Sequence, residues 1–304
     1  MEKIRIFAPA TIGNVGPGFD VIGLCVDGLG DTVTVSKTDG KTEITDVRGT
    51  DASSVPLDPA KNTVTIAASA FFAATNKNIN LKVEIERHLP CSGGLGSSAA
   101  SSLAGAMAAA YFGGEFENTD LILQAALEGE GAVSGRHLDN IAPCYNGGVT
   151  IVQSTKPTNI LSVPLNREWW LTLFISDFKL STKEARSVLP DMVDRATFVK
   201  QLANSASLIL GFTEGNEEIL RVALNDHFAE PRRAPLIPQF HDLKKAALDS
   251  GALGSSISGA GPTIFALSES RQIASEVAEA MLGVYKGKAR THIGLISKTG
   301  ARLL

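Results

Sequence analysis

Pro90-Cys91-Ser92-Gly93-Gly94-Leu95-Gly96-Ser97-Ser98-Ala99-Ala100 sits where two periodicities meet in this 304-residue chain. Before it, Leu81, Val83 and Ile85 alternate with Lys82, Glu84 and Glu86, the period-two pattern of a half-buried strand. After it, Leu103, Met107 and Tyr111 recur at helical spacing. Strand, glycine loop and helix in that order bring loop N–H groups and the positive end of a helix to one point, a cradle suited to an anion such as phosphate. The competing reading is a tight connection whose small residues let the helix pack closely on the sheet. A Walker loop is excluded because no lysine follows Gly96. Gly94-Leu95-Gly96-Ser97-Ser98-Ala99 satisfies a relaxed dinucleotide pattern, but Glu115, Glu117 and Asp120 lack the preceding strand that pattern needs.

Toward the N-terminus, Ile4 and Ile6 alternate with charged neighbours and lead into a loop, 9–20, with glycines at 13, 16 and 18. Val33 and Val35 mark another strand, Asp58-Pro59 precedes a helix through Ala74, Asp120 caps a helix to about Ala132, and 147–152 reads as a returning strand. Lys156-Pro157-Thr158-Asn159 breaks the pattern, dividing the chain into domains 1–155 and 156–304. The second opens with the strand 170–175. Ser181 and Glu184 then stand at capping-box spacing, helices continue to about Leu248, and a strand over 264–267 follows another glycine loop. Two mixed α/β domains are expected, with the site at their junction.

Composition narrows the function classes. Apolar residues at 44% and charged residues at 20% fit an ordinary globular protein with ample core. A net charge of −4 gives no basic footprint for nucleic acid. Cys25, Cys91 and Cys144 are odd in number and widely spaced, so neither a disulfide framework nor a zinc ribbon is indicated, and a cytoplasmic location is expected. The N-terminus lacks the basic-then-apolar pattern of an export signal. Residues 89–114 carry no Asp, Glu, Lys or Arg, yet they are mostly Gly, Ser and Ala, which argues against a membrane span. There is no G-x-S-x-G elbow, and His88, His137, His227, His241 and His292 show no metal-ligand spacing.

Three segments taken together, Pro9-Ala10-Thr11 through Asn14-Val15-Gly16-Pro17-Gly18-Phe19-Asp20, Gly93 through Ala100, and Ser258-Gly259-Ala260-Gly261-Pro262-Thr263, resemble the three motifs of the GHMP small-molecule kinases. The block Ser134-Gly135-Arg136-His137-Leu138-Asp139-Asn140-Ile141-Ala142-Pro143 narrows the resemblance to the branch that phosphorylates homoserine. The resemblance implies an α+β fold with an N-terminal, ribosomal-protein-S5-like domain holding ATP and a ferredoxin-like C-terminal domain. It implies ATP and Mg²⁺ as cofactors, L-homoserine as substrate, and a homodimer. Pro90 to Ala100 would wrap the phosphates, with Ser98 and Glu130 on the Mg²⁺ and Glu128 as rival. Asn14, Asp20, His137 and Gly259 would line the homoserine pocket, with Arg186 and Arg233 (rival Arg232) clamping its carboxylate. Asn140, Thr182 and Arg186 would serve the reaction. Asn140 stands where other kinases of the superfamily place an aspartate base; an amide takes no proton, and the adjacent Asp139 is the rival base.

Overall fold

The computed structural model describes residues 2–304. The first half contains β1 (Lys3–Gly13), β2 (Ile22–Thr38), β3 (Glu43–Gly49), α1 (Thr63–Ala74), β4 (Asn80–Arg87), α2 (Ser97–Gly113), α3 (Thr119–Gly131), α4 (Ile141–Asn146), β5 (Val149–Thr155) and β6 (Thr158–Val163). The second contains β7 (Trp170–Ser176), α5 (Thr182–Ser187), α6 (Arg195–Glu214), α7 (Glu217–Ala223), α8 (Glu230–Arg233), α9 (Phe240–Asp249), β8 (Gly254–Ile257), β9 (Ile264–Ser268), α10 (Arg271–Val284), β10 (Ala289–Leu295) and β11 (Arg302–Leu303).

One sheet runs β11-β1-β2-β4-β3, with β5 on β2 and β6 on β5; the other is β10-β7-β9-β8. The second sheet is antiparallel throughout, and with α9 and α10 packed on it as the crossover helices it has the β-α-β-β-α-β ferredoxin-like order expected. Strand β1 runs through Pro9 because the missing N–H falls at a bulge, where its register on β2 shifts between Pro9 and Thr11. Asn118, not Asp120, caps α3, accepting from Leu121 N; Asp120 lies in the first turn.

The charge-free stretch has become α2, buried along nearly its whole length. A Cβ at Gly105 would lie 2.0 Å from the Val64 carbonyl oxygen of α1, so the two helix backbones touch. Small residues there serve close packing in the protein core, and no described helix is long and apolar enough to cross a membrane.

The expected division at 155/156 needs correction. It falls in the turn of the β5–β6 hairpin, whose second strand pairs Ile151 with Leu161, so β6 belongs to the first sheet. The chain leaves that sheet only after Val163 and returns to it in β11, where Ile6 pairs with Leu303. One apolar cluster joins Ile6, Leu103 and Ile141 to Trp169, Phe212 and Leu267, uniting both sheets; a smaller one gathers Phe174, Phe240 and Met281.

Candidate active site

The loop after β4 is shaped by residues in left-handed backbone: Ser92 at φ 55°, Gly94 at 77° and Gly96 at 66°. A Cβ on Gly94 would come within 2.3 Å of the Ser258 carbonyl oxygen, and one on Gly96 within 2.0 Å of Thr11 Oγ1. The second domain holds the loop in place: Ser258 Oγ donates to Gly94 O at 2.6 Å, and Thr263 N to Gly93 O at 3.3 Å. Gly96 begins α2 without a side-chain cap, and the first helical bond returns from Ala100 N, so earlier N–H groups face an interdomain cleft of ≈ 360 Å³. Cys91, Ser92, Gly93, Gly94, Gly96, Ser97 and Ser98 line it.

The side chains of Pro90, Leu95, Ala99 and Ala100 do not line it. Leu95, Ala99 and Ala100 are buried in the apolar core, because the helical face opposite the cleft must pack on the sheet. Pro90 sits against Gly93, where a Cβ would be 2.4 Å from its ring. These four shape the loop from behind.

Beside the loop, Ser98 Oγ donates to Glu130 Oε1 at 3.0 Å and lies 3.2 Å from Ser134 Oγ. Glu130 is 7% exposed, and its Oε2 has no hydrogen-bond partner. Burial pushes its carboxyl up to about 7 against the lowering effect of the Ser98 hydrogen bond, with the Asp139 charge adding to the rise. An orphaned carboxylate oxygen and a hydroxyl beside an anion cradle form a donor set that fits a magnesium ion completed by water and phosphate oxygens. Glu128 points elsewhere, into a half-exposed pair with Arg136 at 2.6 Å.

The facing wall carries opposite charges. Asn14 and Asp20 adopt left-handed backbone, and Asn14 Oδ1 accepts from Asp20 N at 3.0 Å. Asn14 Nδ2 and Arg233 Nη1 both donate to Gly259 O, at 2.9 and 2.8 Å, and Arg233 Nε donates to Ala185 O at 2.9 Å. Ser181 caps α5 by accepting from Glu184 N, which sets Thr182 and Arg186 toward the cleft. Arg186 grips Asp20 with two parallel bonds, Nη1–Oδ2 at 3.0 Å and Nη2–Oδ1 at 2.9 Å. Both arginines stand 5.4 Å from the Phe19 ring centroid. Arg232 turns away to Phe228 O at 2.5 Å, so Arg233 is the cleft arginine of the adjacent pair.

His137 Nδ1 lies 3.4 Å from Asp20 Oδ2; burial lowers its pKa while Asp20 raises it. Asn140 Oδ1 accepts from Thr11 Oγ1 at 2.9 Å, anchoring the amide under Gly96. Asp139, 5% exposed, is packed beneath Gly13, where a Cβ would meet its Oδ2 at 2.4 Å. Burial and then the Asp20 charge push its carboxyl up to about 7. The sequence reading missed Arg87, Ser134 and Lys183 on the cleft wall. For Arg87 the signal was present: it shares the strand parity of Leu81, Val83 and Ile85, the buried face of β4.

Residues 62–148 match the model for the GHMP kinase N-terminal domain, and residues 208–287 that for the GHMP kinase C-terminal domain. A homoserine kinase of Chlorobium phaeobacteroides (strain BS1) is 37% identical, the alignment covering 100% of both chains. One from Pyrococcus abyssi is 42% identical over 88% of each. The crystal structure of homoserine kinase from Cytophaga hutchinsonii superposes with a TM-score of 0.94 at 37% identity, covering 100% of this chain and 98% of that one. The structure of L. major mevalonate kinase superposes with a TM-score of 0.71 at 13% identity, covering 95% of this chain and 94% of that one, a likeness of fold alone.

Proposed function

The chain belongs to the homoserine kinases of the GHMP superfamily, and from that membership we infer that it transfers the γ-phosphoryl group of ATP to the hydroxyl of L-homoserine. The products are O-phospho-L-homoserine and ADP, a step of threonine biosynthesis. The observation that carries this reading is the meeting, in one cleft, of an uncapped helix N-terminus and a wall of paired carboxylate and guanidinium groups.

Loop N–H groups and the end of α2 receive the phosphate tail. Ser98 and Glu130 would hold Mg²⁺, which when bound neutralises phosphate charge. Homoserine is a zwitterion, and the Asp20–Arg186 pair has a complement for each end: Asp20 for the ammonium, Arg186 with Arg233 for the carboxylate. Exchange of one salt bridge for two keeps both groups compensated, which a half-buried charge requires. Thr182 and Asn140 flank the phosphoryl path. A loose transition state proceeds by positioning and charge neutralisation, so the acceptor proton can leave late, to the transferred group. Helix α6 exposes Phe198, Val199 and Leu202, and the homodimer belongs to the same reading, to be tested by sedimentation.

The decisive assay measures ADP release from Mg-ATP with homoserine, serine, threonine, mevalonate and galactose. Turnover with homoserine far above the others is expected; indifference to homoserine beside clear turnover of another acceptor removes the assignment.

A further inference from the structure

Arg87 ends β4 just before the phosphate loop, and it is 4% exposed although it carries a full charge. Its Nε donates to Thr50 O at 3.2 Å, and its Nη2 donates both to Leu89 O at 2.9 Å and to Ser97 Oγ at 2.6 Å. The two residues after it are held by buried Asp31, whose Oδ1 accepts from His88 N at 2.7 Å and Leu89 N at 2.9 Å. A buried cation is thus fixed against the first residue of α2, and both Arg87 and Ser97 line the cleft.

A serine hydroxyl has one proton to donate. With Arg87 occupying an acceptor lone pair, and no protein acceptor for Ser97 Oγ among the described residues, that proton is left for a group in the cleft. We propose that Arg87 is a positioning residue for the nucleotide: it turns the Ser97 hydroxyl into a donor toward a phosphate oxygen and sets a positive charge beneath the N-terminus of α2. The proposal rests on the nucleotide reading of the cleft and extends it to a strand residue outside the glycine loop. No Walker lysine is present, and Arg87 brings fixed positive charge to the same end of the helix from below.

The test is a double-mutant cycle on Arg87→Met and Ser97→Ala, read by ADP titration calorimetry without homoserine and by KM for ATP and for homoserine. Arg87→Met should weaken ADP binding and raise KM for ATP by about tenfold, Ser97→Ala by about threefold, and the double variant no more than Arg87→Met alone. KM for homoserine should stay within about twofold, and Arg87→Lys should recover part of the loss. Multiplying effects in the double variant, or unchanged ADP affinity in folded Arg87→Met, overturn the proposal. Should Arg87→Met fail to fold, the cycle on Arg87→Lys and Ser97→Ala makes the same comparison, non-additive if the proposal holds and multiplicative if it does not. A wild-type chain that binds no ADP overturns the nucleotide reading itself and the proposal with it, whereas normal wild-type binding with additive variants overturns the proposal alone.

Discussion

Asp139 and Asn140 are neighbours in sequence with different surroundings. Both line the cleft and both press against Gly13, but the Asn140 amide is anchored to Thr11 while the Asp139 carboxyl is the more deeply buried and is raised by that burial. Asn140→Ala should therefore lose more turnover than ATP affinity, and Asp139→Asn should lose little of either. Near-normal turnover in the first with collapse in the second would make Asp139 the base. Asp139 also has a stability signature. Its carboxyl is raised from 3.8 to about 7, so the folded chain keeps a proton that the unfolded chain has released over that range. The stability this group contributes is full below about pH 4, falls as pH rises toward about 7, and is flat above. Measured by urea unfolding, the advantage of wild type over Asp139→Asn should shrink by a few kcal/mol at most across that window. A constant difference would show that the carboxyl is ionised in the fold throughout. Glu130 titrates in the same direction, so the variant keeps part of the slope.

At the scale of elements, the glycine loop separates backbone strain from steric conflict. Gly94 and Gly114 both have positive φ, 77° and 73°, but a Cβ at Gly94 meets Ser258 O at 2.3 Å whereas nothing lies within 4 Å at Gly114. Gly114→Ala should cost only the conformational strain, about 1–2 kcal/mol. Gly94→Ala should cost about 1–3 kcal/mol more and weaken ATP binding, because the loop must move. Equal thermal shifts in the two would mean that the loop yields without resistance. The strand–loop–helix unit was legible because its periodicities are strong on both sides of the glycines. The cap of α3 was not: Asn118 and Asp120 are both good capping types, and which one starts the helix depends on the backbone of the preceding turn, Asn118 N on Glu115 O. Arg87 was overlooked because an arginine in a charged alternation reads as surface; its parity, not its type, placed it inside. Pairing of Asp20 with Arg186 spans two segments far apart in sequence and had no local signal at all.

For the whole molecule, two named domains do not amount to two independent folding units. The large apolar cluster takes residues from both sheets, and β11 returns from the far end of the chain to lie on β1. A fragment 1–155 would lack β6, β11 and the packing of Trp169 and Phe212, and it should fail to give dispersed amide resonances when expressed alone. The full chain should unfold in a single calorimetric transition; a stable fragment or two separated transitions would count against this shared core. The boundary was misread for the same reason: Pro157 looked like punctuation between domains, whereas here it stands in a hairpin within one sheet.

The mutual grip of Asp20 and Arg186 has a consequence for which guests are admitted. On the proposed reading, a visitor carrying only a carboxylate would draw the arginine away and leave the aspartate with His137 as its one remaining side-chain partner of positive potential among the described residues; one carrying only an amine would leave Arg186 without its carboxylate. On the same reading a molecule with both termini would swap partners evenly, and selection would act on charge parity before it acts on shape.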